Sequence, residues 1–532
     1  MRKLYSLMFI LAIPFCLDAQ ITFQKTYGDL VYDDGQALVQ TRDHGYCIVG
    51  TTGPNQTDSQ HVAVYRLDSI GNLVWTSKIY GSKNDFIKDV KETADGGFIL
   101  VGTTFSSPID ATNSDILAIR LDDTGYPILS SVYGGPDVDE GNSVMIVDNG
   151  GYIIAGSTKS YGTATQSAMI LKIDDNLNQR WSNVSSITPL NYFNRINKTF
   201  DGGSIAVGTA NNIGGTGFDT YVCKFDTGGT LTWGYRYGTA SADQAFDVIQ
   251  TSDSGYAITG ISSAFVIGTH GFPDQHLIRL HSNGTFDWCR NYGSAQYDRA
   301  SSIVQNLDGG FTMAGYTNVG DSSNPIYQVS LTRTNAAGAF RWALSYGDLI
   351  NRSEATDLIK TNDEGFAFTG FNLGFSDPNG DAYLIKTDSL GDSKCYQDFP
   401  VMGSTVVPSL TAASAPTNII TNMDESTIAL GYTPFINQFS TVCEDNSIDE
   451  SIASGFMIYP NPASREISIK AETDFSDAGI FISNMIGQTF NCNLQKISDR
   501  KITLDISALP AGIYSIKIQT KTVSVSRKFV KE

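Results

Sequence analysis

The residues able to do chemistry fall into a few sets, each with a structural duty to weigh against a functional one. His270, His276 and His281 lie close together. Zinc needs convergent ligands, yet His276 and His281 are an odd number of residues apart and face opposite sides of a strand. Four aspartates, Asp115, Asp219, Asp274 and Asp381, each open an apolar run. Such hard oxygen ligands suit calcium, but no clustered Asp-x-Asp loop accompanies them, so turn capping is the favoured duty. Calcium is the one cofactor left open; otherwise none is called.

Cations recur in one phrase, at Arg66, Arg120, Lys172, Lys224, Arg279, Arg333 and Lys386. As a ring they could hold an anion. Because they return once per copy, as structural glycines do, an ion pair with turn aspartates such as Asp95 is favoured. All five tryptophans, Trp75, Trp181, Trp233, Trp288 and Trp342, share one phase, which could stack sugars or pack neighbouring copies together. Packing is the favoured duty. Cys395 and Cys443 bracket a polar stretch and are either bridged or two unpaired thiols. No Ser-His-Asp elbow, paired-carboxylate motif or phosphate loop stands out.

The elements that must position these residues are repeats. The phrase Thr93-Ala94-Asp95-Gly96-Gly97-Phe98-Ile99-Leu100-Val101-Gly102 returns seven times, with its second glycine or the equivalent at Gly45, Gly97, Gly151, Gly203, Gly255, Gly310 and Gly365. An Asx residue followed by glycine tolerates positive φ and bonds its own turn, so each copy opens on a hairpin. A buried strand follows and ends on a glycine such as Gly102, where backbones approach closely. A Tyr-Gly pair closes most copies. Each copy holds about four strand-length segments, and the period is that of four-stranded propeller blades. The orphan Tyr27-Gly28 pair, together with a seventh copy that lacks one, predicts that an N-terminal strand completes the last blade and closes the ring.

Bulk properties agree. A chain of 532 residues with 51 glycines, 25 tyrosines and 28 phenylalanines but only 17% charged residues favours β-structure rich in turns. A net charge of −19 repels phosphate backbones, which argues against nucleic acid. Residues 1–19 begin Met1-Arg2-Lys3, continue with an apolar run from Leu7 to Phe15 and reach the small Ala19, as a secretory signal peptide does. That run is too short to span a bilayer, and no transmembrane segment is called.

Over residues 20–400 the copies resemble the propeller repeats of secreted bacterial proteins sometimes called delta-60 repeats, a resemblance that carries no fixed active site. Residues 401–450, rich in Ser, Thr and Asn, read as a linker packing on the last blade. Residues 451–532 hold Tyr459-Pro460-Asn461-Pro462, then Gly487, then Gly512 and Tyr514, and finally Lys528. In that order they resemble the type A C-terminal sorting domain of the type IX (Por) secretion system of the Bacteroidetes. The resemblance implies an immunoglobulin-like β-sandwich, passage through the outer-membrane type IX machinery by way of the periplasm, and a secreted or outer cell-surface location.

The fold class is therefore all-β, a seven-bladed β-propeller followed by a small β-sandwich. The structural residues of the repeat are typified by Trp75, Asp95, Gly97, Gly102, Arg120 and Trp233. Variable loops such as Thr103 to Ser114, Ile261 to Pro273 and Tyr316 to Pro325 should gather on one face, where recognition usually sits. The functional expectation is a non-catalytic module binding an extracellular glycan or protein. The alternative is a hydrolase or lyase acting on polysaccharide, which would need two carboxylates converging in a concave pocket.

Overall fold

A computed structural model describes residues 20–531 except 55–59, 110–111, 163–164, 186–188, 212–216, 265–270, 321–322, 349, 376–378, 395–396, 399, 401, 408–410, 415–417, 422, 434–437, 445–455, 460–462, 472–478, 485–488, 491–492, 499–500, 511 and 520–523. The signal-peptide expectation for residues 1–19 lies outside them. Among the described residues every helix or strand assigned is a strand.

Seven antiparallel sheets form the ring, numbered here as blades 1 to 7 in chain order. Blade 2 is typical. Its inner strand, Asp85–Glu92, turns through Thr93 to Gly97 into Phe98–Thr104, which pairs with Asp115–Leu121, and that in turn with Pro127–Gly134. The second and third strands are buried at every position because neighbouring blades cover both of their faces, which is why they read as unbroken apolar runs.

The hairpin is built as its residues dictate. The Asp95 carboxylate accepts from Thr93 Oγ1 at 2.5 Å and from the Gly97 amide at 3.3 Å, and Gly96 takes φ of 86°. The positive φ belongs to the first glycine of the pair. The second is needed for space, since a Cβ on Gly97 would collide with the Leu121 carbonyl. Gly102 and five of its counterparts likewise face an inner-strand carbonyl, Phe86 O in blade 2, and Gly50 of blade 1 faces Asp34 O.

Blade 7 takes its fourth strand from the N-terminus. Phe23–Gly28 pairs antiparallel with Asp381–Thr387 and closes the ring. The imported strand repeats the contacts of a native one. In blades 4, 5 and 6 the rings of Trp233, Trp288 and Trp342 lie on the positive-φ glycines Gly284, Gly338 and Gly391 of the next blade, and Phe23 lies on Gly71 in the same way. Tyr27 Oη donates to Gly71 O at 2.7 Å, as Tyr346 Oη does to Gly391 O at 2.6 Å. At the junction of blades 2 and 3 both partners change together: Leu129 stands in the tryptophan phase and Leu177, with φ of 64°, in place of the glycine.

The stretch expected to be a linker on the last blade is a circumferential belt. Seven short strands, Gln397–Asp398, Gly403–Val407, Thr411–Ser414, Asn418–Thr421, Asp424–Thr427, Gly431–Thr433 and Gln438–Glu444, pair in turn with the outer strands of blades 6, 5, 4, 3, 2, 1 and 7. The belt thus runs against the chain order of the ring and gives every blade a fifth strand. Seven four-stranded blades leave seven unpaired outer edges, and the belt covers them all.

The described residues between 456 and 531 form two four-stranded sheets. Ile467, Ile469, Ile502 and Leu504 of one sheet share a core with Ile482, Tyr514 and Ile516 of the other, as in a β-sandwich.

Candidate functional site

The inner strands meet at the axis, and a bulge decides which side chains point there. In blades 2 to 7 the inner strand shifts register against its neighbour, for example between Ile87 and Asp89 and between Phe193 and Arg195. Such a bulge re-aims the residue that follows it. The residues so placed are Asp89, Ser143, Arg195, Asp247, Ser302 and Asp357, with Ala37 in blade 1.

They close the axis as a buried polar floor. Arg195 reaches from blade 4 to Asp89 at 3.6 Å, Asp247 at 3.2 Å, and Asp357 of blade 7. Each carboxylate also accepts the amide of the following blade: Asp89 from Val144 at 2.9 Å, Asp247 from Ile303 at 3.0 Å and Asp357 from Leu38 at 3.0 Å. Ser143 and Ser302 donate to Asp89 and Asp247 at 2.7 and 2.8 Å. Burial opposes charge on Asp89, but Lys91 and Arg195 hold its carboxyl below the usual range. Burial outweighs Arg195 at Asp247, whose carboxyl is raised. Burial also opposes the charge on Arg195, and the three aspartates more than offset it. The network is satisfied internally, which is the condition under which buried charge is tolerated.

Above this floor, on the side where inner strands begin and the variable loops emerge, partly exposed inner-strand residues surround the axis, a face here called the cup. Its lower rim links blade to blade: Asn142 donates to Phe193 O at 2.8 Å and Asn194 to Ala245 O at 2.7 Å. Along blades 5 to 7 the rim becomes a row of stacked rings and guanidinium groups. Arg299 lies over Phe246 at 3.8 Å and over Tyr316 at 5.9 Å. Tyr316 stacks on Tyr297 at 5.8 Å with 12° between planes, and meets Tyr327 edge-on at 5.2 Å. Arg352 then lies 5.4 Å from both Tyr327 and Phe371, and Tyr32 follows 6.5 Å beyond Phe371. Tyr32 also lines a cavity of about 310 Å³ with Asp34, Gln36, Thr51, Phe86 and Lys88. Within it burial pushes the Asp34 carboxyl up, against donors from Gln36 at 2.7 Å, Tyr32 at 3.1 Å and the Thr51 amide at 2.7 Å.

The residues singled out from sequence lie elsewhere. Arg120 pairs with Asp95 at 2.6 Å and donates to Phe98 O and Leu121 O, tying the hairpin to the third strand. Arg66–Asp43, Lys224–Asp201, Arg279–Asp253, Arg333–Asp308 and Lys386–Asp363 repeat the pair. Where Asn149 replaces the aspartate, Lys172 donates to Gly150 O at 2.6 Å. Trp75 donates to Asp123 O at 3.1 Å, and Trp233 packs edge-on against Tyr256, both at blade junctions. Asp115, Asp219, Asp274 and Asp381 are buried against Gly134, Gly238, Gly293 and Gly28, where a Cβ would strike the carboxylate. That contact explains the glycine of four Tyr-Gly pairs; at Gly81 and Gly347 the crowding groups are Ser106 and Gln328. Turn capping is seen at the first residue of the inner strand, as when Asp139 accepts from Gly135 N at 2.8 Å. His276 is buried on Asn291 at 2.6 Å, His281 is exposed near Asp287, and His270 lies outside the described residues. No group of three metal-ligating side chains converges among the described residues. Cys443 is disulfide-bonded, and its Sγ lies 4.0 Å from the Ser393 carbonyl; Cys395 lies outside the described residues.

Neither floor nor rim was singled out from sequence. The floor did leave a signal, because Ala37, Asp89, Ser143, Arg195, Asp247, Ser302 and Asp357 each stand eight residues before the second hairpin glycine. In the sorting motifs, Tyr459, Gly512 and Lys528 lie on strands and Tyr514 is buried with its hydroxyl on Pro510 O at 2.8 Å. Pro460, Asn461, Pro462 and Gly487 lie outside the described residues.

Comparison with known proteins agrees at the C-terminus. Residues 457–532 match the secretion system C-terminal sorting domain family. No curated protein matches the chain. Among solved structures, that of Sqt1 from Chaetomium thermophilum is similar at 12% identity with a TM-score of 0.40, covering 67% of this chain and 83% of that one. No helix among the described residues is long and apolar enough to cross a membrane. The protein is a seven-bladed propeller with a type IX secretion sorting domain at its C-terminus, which implies delivery to the cell surface or the extracellular space through that machinery.

Proposed function

We propose that the ring is a non-catalytic binding module and that the cup on its loop face engages an extracellular glycan or protein, after export by way of an N-terminal signal peptide and the periplasm. One observation carries the reading: above a closed polar floor the ring presents half-buried tyrosines together with Arg299 and the more exposed Arg352. Tyr and Arg are the side chains that concentrate binding energy when an interface desolvates them.

The polysaccharide hydrolase or lyase reading has one observation in its favour, the raised carboxyl of Asp34 in the 310 Å³ cavity. A two-carboxylate mechanism needs a second acid, and Asp34 is the one carboxylate among the described residues lining that cavity. The floor aspartates are committed to Arg195 and to backbone amides, so they support a structural duty. A survey of the full chain against glycans and surface proteins tests the proposal. Capture of a partner at the loop face is the expected result; turnover of a defined polysaccharide without a stable partner would overturn it.

A further inference from the structure

Resting on that reading of the cup, we propose that its occupant is a uronate-bearing polysaccharide, with a sugar carboxylate seated on Arg299 and adjoining sugar rings on Tyr316 and Tyr327. The starting point is a cation without an acidic partner among the described residues, in a chain with 55 acidic residues against 36 basic ones. Arg195 and six of the seven repeat cations hold carboxylates. Arg299 has no ion-pair or hydrogen-bond partner among the described residues, and its Nε is buried without an acceptor. A guanidinium so placed calls for an anion from outside.

The geometry selects the kind of anion. The Arg299 guanidinium carbon lies 3.8 Å from the Phe246 ring centroid and 5.9 Å from that of Tyr316, so the cation is flanked by aromatic rings and not by acids. An edge of parallel N–H groups matches the two oxygens of a planar carboxylate.

The surroundings select the carrier. Arg352 continues the row, but Glu354 lies 2.5 Å from it and offsets its charge. The row therefore offers one open cation followed by aromatic faces, an arrangement that suits a sugar chain with apolar ring faces and a carboxylate. Arg299 stands on an inner strand within the cup, where a slender polymer fits. A protein partner needs about 800 Å² of complementary surface on each side. The row ends at the 310 Å³ cavity beside Tyr32, which provides room for a further sugar unit.

The test is calorimetric titration of the full chain with oligogalacturonate and oligoalginate, with methyl-esterified oligogalacturonate as the neutral match and dextran sulfate as the other anion. The expected result is binding of a uronate at least tenfold tighter than its ester. Arg299→Gln should abolish that preference, Arg299→Lys should recover part of it, and Tyr316→Ala should weaken acid and ester alike. Equal binding of acid and ester by the unsubstituted chain overturns the inference even if an Arg299 variant fails to fold. So does unchanged affinity in Arg299→Gln, or dextran sulfate binding with the same Arg299 dependence. If neither uronate binds while a neutral glycan or a protein occupies the cup, the inference falls and the binding-module reading stands. If nothing occupies the cup, both fall.

Discussion

Replacing Arg195 by methionine should destabilise the ring in a pH-dependent way. The substitution keeps the side-chain volume roughly constant and removes the cation from three carboxylates. Asp89 would retain Lys91 at 2.5 Å, while Asp247 would retain Ser302 and an amide. Arg195 is 13% exposed and Asp89, Asp247 and Asp357 are 0%, 5% and 7% exposed, so solvent offers little relief. Removing one partner of a buried ion pair costs about 3–5 kcal/mol. Against a total stability of about 5–15 kcal/mol, the variant should fold but lose a large share of its margin. The sign with pH follows from the carboxyls left behind. Their folded pKa values rise once Arg195 is gone, so the penalty is absent below the unfolded value of about 4 and grows as pH rises through the folded values. Urea unfolding followed by tryptophan fluorescence reads this directly, because the tryptophans sit at blade junctions. The deficit against the unsubstituted chain should be large at pH 7.5 and much smaller at pH 4.5. An equal deficit at both values, or one below about 1 kcal/mol at pH 7.5, would refute the assignment of the floor as a charge network.

Three further outcomes follow from the same geometry. Gly102→Leu should prevent accumulation of folded protein, because even the first side-chain carbon would stand 2.7 Å from Ile87 Cα and closer still to Phe86 O; soluble yield and circular dichroism check this. Burial pushes the Asp298 carboxyl up to about 6, so its ionisation costs the folded state stability as pH rises from about 4 through 6. Asp298→Asn should therefore flatten the decline seen by thermal unfolding between pH 4.5 and 7.5, by about 3 kcal/mol at most. The disulfide at Cys443 is proposed to join Cys395. Since the belt makes a full circuit between them, the bond would fasten the belt end to end. Mass spectrometry of non-reduced peptides should recover the pair, and Cys395→Ser should cost about 4 kcal/mol by the chain-entropy estimate for a loop of that length.

Much of the scaffold was legible in the chain because its contacts are local or strictly periodic. The Asp95 hairpin bonds within five residues, Gly102 recurs wherever two strands of one blade crowd, and Tyr27-Gly28 was recognisable as the missing end of a copy. The belt was not legible. Its strands are short, start only six to eight residues apart and share no sequence motif, so each is specified by the edge it covers. The floor was legible only in retrospect, because alanine, serine, aspartate and arginine share one phase and no single residue type marks it in every copy. The rim was hidden more deeply. Tyr297, Tyr316 and Tyr327 come from three different segments of blade 6, and Arg299 and Phe246 from two neighbouring blades, so only the packed blades assemble them; the Tyr32–Phe371 contact further requires closure of the ring.

The most direct test of the central claim is footprinting of the full chain by hydroxyl radicals, with and without the glycan or protein that the survey returns. The account predicts protection at Tyr297, Tyr316 and Tyr327 on the loop face, with Phe200 and Leu307 on the opposite hairpin face unchanged. Protection of Phe200 and Leu307, with the three tyrosines still reactive, would contradict it.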